Sequence, residues 1–236
     1  RVDALLLGVM ATPTDNGRYG AAYTVMQGLG IIPQLSVSAL QPTSARVSRE
    51  DPASMAAMQI QVASLALAIL VPLAVGVAAC GPWLMGQLFG RTFVDAGYAL
   101  RLLVLALPCV ILTGFLGNFL FATDRQPLVF RATIANASVN LGLNLLLIQQ
   151  WGMYGAAVAT VASETAALIV LSIICWGDLG RRLAKAVGPL LLSGAVCWLI
   201  LYWCRPEHVW VGALACSAVY VGTLYGCGLL RRPGLI

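Results

Sequence analysis

The stretch 152-GMYGAAVATVASE-164 begins a long apolar run with a glycine and reaches a carboxylate at Glu164. Gly155, Ala159 and Ser163 recur every four residues, and small side chains at this spacing allow a neighbouring helix to approach closely. If a helix begins near residue 153, Glu164 lies about 16 Å along it, close to the centre of a bilayer. A carboxylate facing lipid there costs about 2.5–3.5 kcal/mol, so we predict that Glu164 faces protein or a water-filled cavity.

The composition of the whole chain predicts a membrane protein. Of its 236 residues, 60% are hydrophobic and only 10% are charged, whereas about 25% of the residues of a soluble domain are charged. Apolar runs long enough to cross a hydrocarbon core of about 30 Å as helices recur along the whole sequence. We therefore predict an all-α fold, a polytopic transmembrane helix bundle.

Hydropathy and helix-breaking residues divide the chain into one partial and seven whole membrane spans. The partial span ends near residue 12, and the whole spans cover roughly 19–44, 57–80, 97–122, 127–150, 153–176, 186–204 and 208–230. The chain starts without a methionine, and its first residues do not form a signal peptide. We expect that it begins inside a helix and that further sequence precedes Arg1.

The basic residues orient these spans. Nine lie in the loops after the second, fourth and sixth spans or in the C-terminal tail, and four lie in the alternate loops. Because cytoplasmic loops of membrane proteins carry an excess of Lys and Arg, this distribution places the C-terminus in the cytoplasm. The net charge of +5 is therefore a topology signal, and we expect no nucleic-acid partner.

Enzyme and metal chemistry find little support in the sequence. The seven cysteines lie in or beside apolar segments without a C-x-x-C motif, as small buried side chains do. The one histidine, His208, lies in a predicted outer loop without the spacing of a metal site or a nucleophilic pair. We therefore predict a protein that is not an enzyme and needs no cofactor or metal.

Asp3 and Glu164 are the two carboxylates predicted to lie at mid-depth in the membrane. Each could exchange a proton or hold a cation as a cavity opens, or serve as a hydrogen-bonding group between helices. Arg1 is two positions from Asp3 and does not share its helix face, so we expect no direct ion pair between them. Both interpretations stay open for both carboxylates.

Other polar residues are candidates for binding the substrate. Asn136, Asn140 and Asn144 recur every four residues and form one stripe on a helix, suited either to sugar hydroxyls or, more simply, to interhelical hydrogen bonds. Arg131 could meet a lipid diphosphate at the inner leaflet or reach to the membrane interface, and the second is favoured. Tyr19 and Arg101, predicted near the outer face, are either entrance residues or interface anchors.

Three passages carry a resemblance to a known family. The first covers residues 1–46, where an Asp-bearing helix is followed by Gly17, Tyr19, Pro33, Pro42 and Arg46. The others are 87-QLFGRTFVDAGYALRLL-103 and 135-ANASVNLGLNLLLIQQWGMYGAAVATVASE-164. Together they resemble the Wzx-type oligosaccharide flippases, within the multidrug/oligosaccharidyl-lipid/polysaccharide exporter superfamily.

This resemblance implies an architecture of two six-helix lobes. Residues 1–176 would be the second lobe with a truncated first helix, and residues 177–236 two appended helices and a short tail. The N-terminal lobe would then be missing from this sequence, and it would be needed to complete a polar cleft between the lobes.

The resemblance also implies a function in the bacterial inner membrane. Such a flippase would carry a polyprenyl-diphosphate-linked oligosaccharide, as a unit of O-antigen, capsule or exopolysaccharide, across the membrane by alternating access. Its partners would be this substrate, membrane lipid and a coupling ion, H⁺ or Na⁺. The candidate substrate-binding or ion-coupling residues are Asp3, Arg131, Asn136, Asn140 and Glu164.

Three alternatives remain at this stage. A peptidoglycan-precursor flippase and a cation-coupled multidrug exporter belong to the same superfamily, and the two appended helices argue mildly against the exporter. The third alternative is a truncated membrane scaffold that transports nothing.

Overall fold

The computed structural model describes residues 2–175, 178–203 and 209–226, and within these ranges the chain is helical with no strand. The prediction of an all-α helix bundle is therefore confirmed. In chain order the helices are α1 (Val2–Met10), α2 (Pro13–Glu50), α3 (Pro52–Phe89), α4 (Ala96–Ala122), α5 (Gln126–Ile174), α6 (Asp178–Trp203) and α7 (Val209–Gly226). A 3-10 turn, Arg91–Phe93, precedes α4.

Four segments of the described chain are long and apolar enough to cross a membrane. They are Ala53–Phe89 in α3, Ala96–Ala122 in α4, Gln126–Ile174 in α5 and Leu179–Leu201 in α6. Helix α2 is as long as α3, with 38 residues, but glutamines and serines interrupt its apolar sequence.

Helix α5 is a hairpin of two antiparallel arms that meet at Gly152. Gly152 has φ 53° and ψ −128°, a conformation that only glycine adopts without strain. Hydrogen bonds join the N-terminal arm, 126–151, to the C-terminal arm, 153–174: Asn140 Nδ2 donates to Ser163 Oγ at 2.9 Å, and Asn136 Nδ2 to Glu164 Oε1 at 3.4 Å. The break predicted between residues 150 and 153 is confirmed.

The small residues of the C-terminal arm let the two arms pack closely. A Cβ atom on Gly155 would lie 2.1 Å from the carbonyl oxygen of Leu147, so only glycine fits there. Ala159 and Ser163 are buried on the same face. The predicted close helix approach is thus confirmed, and the neighbour that approaches is the other arm of the same hairpin.

Helices α2 and α3 start at polar caps outside the apolar sequence. Thr12 accepts a hydrogen bond from the Asp15 backbone N–H at the start of α2, and Asp51 accepts from Ala53 and Ser54 at the start of α3. The Ser54 hydroxyl and backbone N–H hold the pKa of the Asp51 carboxyl below its usual value. Each cap is followed by proline at the first helical position, where no N–H is needed.

Helices α3 and α4 cross at a pair of glycines. A Cβ atom on Gly97 would lie 2.3 Å from the backbone N and Cα atoms of Pro82, and one on Gly81 would lie 2.6 Å from the Gly97 carbonyl oxygen. Backbone therefore packs against backbone at this crossing, which fixes α4 against α3.

Helices α6 and α7 pack beside α3 near a proline. Pro72 has no N–H, so the carbonyl of Ala68, four residues earlier, loses its helical partner. The Tyr220 hydroxyl from α7 lies 2.9 Å from this carbonyl oxygen and 3.2 Å from that of Leu67. A side chain of α7 therefore satisfies a backbone group that the proline leaves without a partner.

Replacing Tyr220 with phenylalanine should lower the free energy of unfolding by about 0.6–2 kcal/mol, the range for hydrogen bonds between membrane helices. Thermal unfolding of the full-length protein in detergent measures this. Tyr98→Phe is the matched control, because the Tyr98 hydroxyl makes no hydrogen bond within the described part of the chain and its ring stays beside Arg101. Equal unfolding temperatures for the two variants would contradict the role of Tyr220.

Candidate substrate cavity and polar cluster

Two cavities lie between α2, α4 and the α5 hairpin. The larger has a volume of about 860 Å³ and the smaller about 410 Å³. Both are lined by Val37 of α2, Val110 and Gly114 of α4, and Glu164 of α5. They therefore form neighbouring parts of one space along α2, with Glu164 where they meet.

The middle of α2 forms the polar wall of this space. The wall residues with polar side chains lie on one helix face and are Thr24, Gln27, Gln34, Ser38 and Gln41. This stripe was not among the residues predicted from the sequence, because hydropathy averages over all faces of a helix. A period count of the glutamines, which recur every seven residues, would have found it.

Glu164 lies where the sequence placed it, on a cavity wall and half-buried. Its carboxylate accepts a hydrogen bond from Asn136 on the opposite arm of the hairpin. The Glu164 side chain is therefore kept away from lipid and is held by one neutral donor, while the open side of the cavity leaves it accessible to water and solute.

Asp3 is hydrogen-bonded to Tyr19 inside the bundle. This bond lies about one helical turn from Glu164 along the C-terminal arm of α5. The Tyr19 hydroxyl donates to Asp3 Oδ2 at 2.7 Å and lies 3.3 Å from Thr160 Oγ1. Thr160 precedes Glu164 by four residues and so lies on the same face of the C-terminal arm. One tyrosine thereby connects α1, α2 and α5.

The prediction that Tyr19 is an entrance or interface residue is wrong. Its side chain is only 1% exposed, because α1 and the C-terminal arm of α5 close over it. Arg101 is half-buried: its Nη2 atom donates to the Ala79 carbonyl oxygen at 3.0 Å, and its guanidinium lies 5.2 Å from the centre of the Tyr98 ring.

A chain of hydrogen bonds extends from Asp3 into the α5 hairpin. Ser163 donates to the Thr160 carbonyl oxygen at 3.0 Å and accepts from Asn140, while Asn144 donates to Asn140 Oδ1 at 3.0 Å. We call this group the polar cluster; it comprises Asp3, Tyr19, Asn140, Asn144, Thr160 and Ser163. Asn136 and Asn140 thus make the interhelical hydrogen bonds that the sequence favoured, while Asn144 bonds to Asn140 on its own arm.

The polar cluster offers oxygen atoms that could hold a cation. Asn144 is fully buried, and its Oδ1 atom has no donor within the described part of the chain. This amide oxygen is of the kind that hard cations prefer as a ligand, as are the Asp3 carboxylate and the Thr160 hydroxyl beside Tyr19. The described residues contain no group of three or more His, Cys, Asp or Glu side chains that would suit a transition metal.

Arg131 is not part of this site. It is exposed near the start of α5, outside the walls of both cavities, and makes no ion pair or hydrogen bond within the described ranges. Of the five residues predicted from the sequence, the structure therefore brings Asp3 and Asn140 into the polar cluster and Asn136 and Glu164 to the cavity wall.

Two further groups hold the ends of α2, and sequence analysis missed both. At the end nearest Gly152, Arg18 pairs with Asp95 at 3.0 Å. At the opposite end, buried Ser44 accepts hydrogen bonds from Gln59 at 3.2 Å and Asn118 at 3.5 Å. The cavity wall between them is thus the middle of a helix that is fixed at both ends.

Comparison with known proteins agrees with this picture. The "Probable low-salt glycan biosynthesis flippase Agl15" of Haloferax volcanii is 27% identical over 163 residues, which are 69% of this chain and 34% of that protein. A solved structure of the "Lipid II flippase MurJ, inward closed conformation" aligns with a TM-score of 0.67 at 14% identity, which shows a shared fold. The alignment covers 98% of this chain and 52% of that one.

The chain thus spans about a third of the length of the curated relative and about half of the solved one. The predicted likeness to flippases of lipid-linked glycans is confirmed at this general level, while the narrower Wzx-type assignment stays a prediction. The family described as "Lipid II flippase MurJ" matches residues 20–215, which is most of the sequence. The chain belongs to the MurJ family of lipid II flippases.

Proposed function

We propose that this chain is the C-terminal lobe of a flippase that moves a polyprenyl-diphosphate-linked oligosaccharide across the bacterial inner membrane. The observation that carries the proposal is the cavity of about 860 Å³, walled by the polar middle of α2 and by Glu164 inside a bundle of apolar helices. A polar cavity at this place gives a hydrophilic headgroup a path through a membrane while its lipid tail remains in the hydrocarbon.

The transport mechanism that fits is alternating access. In such transporters two lobes rock against each other around a central site. Residues 1–176 would form one lobe, with 177–236 appended to it, and an N-terminal lobe would close the open side of the cavity. The C-terminus would lie in the cytoplasm, with Arg131 at the inner leaflet beside lipid headgroups.

Ion coupling is proposed to act through two carboxylates. A cation or proton at Asp3 would change the bonds of Tyr19, which connects three helices. Glu164 faces the cavity itself, where an ion or proton can reach it. Binding at either carboxylate would then shift the balance between cavity conformations, because a ligand shifts an equilibrium by its differential affinity for the two states.

A second candidate substrate is the peptidoglycan precursor. The matched family is described as lipid II flippases, which favours this precursor, whereas the relative Agl15 is described as a flippase of glycan biosynthesis, which favours an oligosaccharide. Both substrates present a saccharide on a lipid diphosphate, so the same cavity and mechanism serve either one.

Expression of the full-length protein in two bacterial hosts distinguishes the candidates. One host lacks its oligosaccharide flippase, and the other is depleted of its lipid II flippase. Restored surface polysaccharide in the first host supports the oligosaccharide, and restored growth in the second supports the precursor. Restoration in neither host, with folded protein in the membrane of both, would contradict the proposed function.

A further inference from the structure

The wall of the cavity carries almost no charge. Among the described residues that line the two cavities, Glu164 is the only charged one, and none is Lys or Arg. A lipid diphosphate is strongly anionic, and proteins bind such groups with Arg and Lys side chains. This wall therefore lacks the cationic side chains that would bind the diphosphate part of the substrate.

The same wall presents amide side chains in a regular row. Gln27, Gln34 and Gln41 are exposed in α2 and recur every seven residues, so they span about 21 Å along the helix. Each amide both donates and accepts hydrogen bonds, as a sugar hydroxyl does. Amides facing hydrocarbon would lose these bonds at considerable cost, so this face of α2 meets water or a hydrophilic solute.

The asparagines of α5 are less suited to this task. Asn140 and Asn144 already bond to each other and to Ser163 within the hairpin, and Asn136 donates to Glu164. Gln34 and Gln41, by contrast, make no side-chain hydrogen bond within the part of the chain that the structure describes. Their amides point into the space where a headgroup would pass.

We infer that Gln34 and Gln41 bind the uncharged sugar hydroxyls of the substrate headgroup, and that the diphosphate is neutralised outside this wall. The inference rests on the proposed function and adds the part of the substrate that this lobe recognises. Sugar recognition and charge neutralisation then belong to different walls of the same cavity.

Binding of two lipids to the full-length protein in nanodiscs tests this division. The first is a polyprenyl diphosphate bearing a neutral trisaccharide, and the second is the same lipid without sugar. Gln34→Leu and Gln41→Leu should each weaken binding of the first lipid about threefold to tenfold, as expected for the loss of a hydrogen bond. Binding of the second lipid should change less than about twofold, or should already be absent in the unaltered protein.

Two controls make the result decisive. Gln149→Leu removes an exposed glutamine of α5 that lines neither cavity, and it should affect neither lipid. Gln34→Asn keeps the amide and should retain more affinity than Gln34→Leu, at equal unfolding temperature. Unchanged binding in the leucine variants, or an equal loss for both lipids, would overturn the inference. If the unaltered protein does not bind the sugar-bearing lipid, the proposed function itself fails.

Discussion

Replacing Gly155 with alanine is expected to destabilise the protein by about 3 kcal/mol, the upper part of the range for overpacked sites. The added Cβ atom would lie 2.1 Å from the carbonyl oxygen of Leu147 on the opposite arm of the α5 hairpin. That oxygen belongs to the helix backbone and cannot move aside alone, so the arms must separate. Their separation would break the bonds from Asn136 and Asn140 that position the cavity wall.

Thermal unfolding and the yield of monodisperse full-length protein measure this effect. Gly142→Ala is the matched control in the same hairpin, because a Cβ atom there meets no atom within 4 Å. Alanine is the better helix former, so this control should be neutral or stabilising by up to about 1 kcal/mol. If both variants unfold at the same temperature, the hairpin packing described here is wrong.

Asp3→Asn is expected to lower transport about tenfold or more and to remove its dependence on the ion gradient. Asparagine keeps the size and polarity of the side chain but loses the negative charge that would attract a cation or take up a proton. A tenfold change corresponds to about 1.4 kcal/mol, a modest fraction of what one charged contact can contribute. Glu164→Gln tests the second carboxylate in the same way.

Asp124→Asn is the control for these substitutions. Asp124 is exposed, lines neither cavity and has a φ of 58°, a backbone conformation that asparagine also accepts. Transport is compared at equal amounts of folded protein. If neither Asp3→Asn nor Glu164→Gln changes transport or its gradient dependence, the coupling proposal is wrong.

Much of the fold could be predicted from the sequence, because hydropathy and glycine mark where membrane helices begin and end. The break at Gly152 was located to within two residues. Helices α2, α3 and α6 extend beyond their predicted spans, since polar turns such as 178–185 are helical without being apolar. Hydropathy reports the part of a helix that suits lipid and does not report its length.

The candidate site was predicted only in part. Glu164 and the asparagine stripe stood out because polar groups in an apolar run are costly and therefore informative. The roles of Tyr19, Ser44 and Asn118 could not be predicted, because their partners are distant in the sequence: Tyr19, for example, contacts Thr160. The row formed by Gln27, Gln34 and Gln41 could not be predicted from the mean hydropathy of α2, because that mean does not distinguish one face of a helix from another.

Transport of a lipid-linked oligosaccharide by the full-length protein in proteoliposomes tests the central claim most directly. A labelled polyprenyl-diphosphate oligosaccharide is placed in one leaflet, an ion gradient is imposed, and an enzyme added outside reports the fraction that crosses. We expect translocation above that of protein-free vesicles, dependent on the gradient and reduced by Asp3→Asn. Folded protein that moves no more lipid than empty vesicles do, under either H⁺ or Na⁺ gradients, would contradict it.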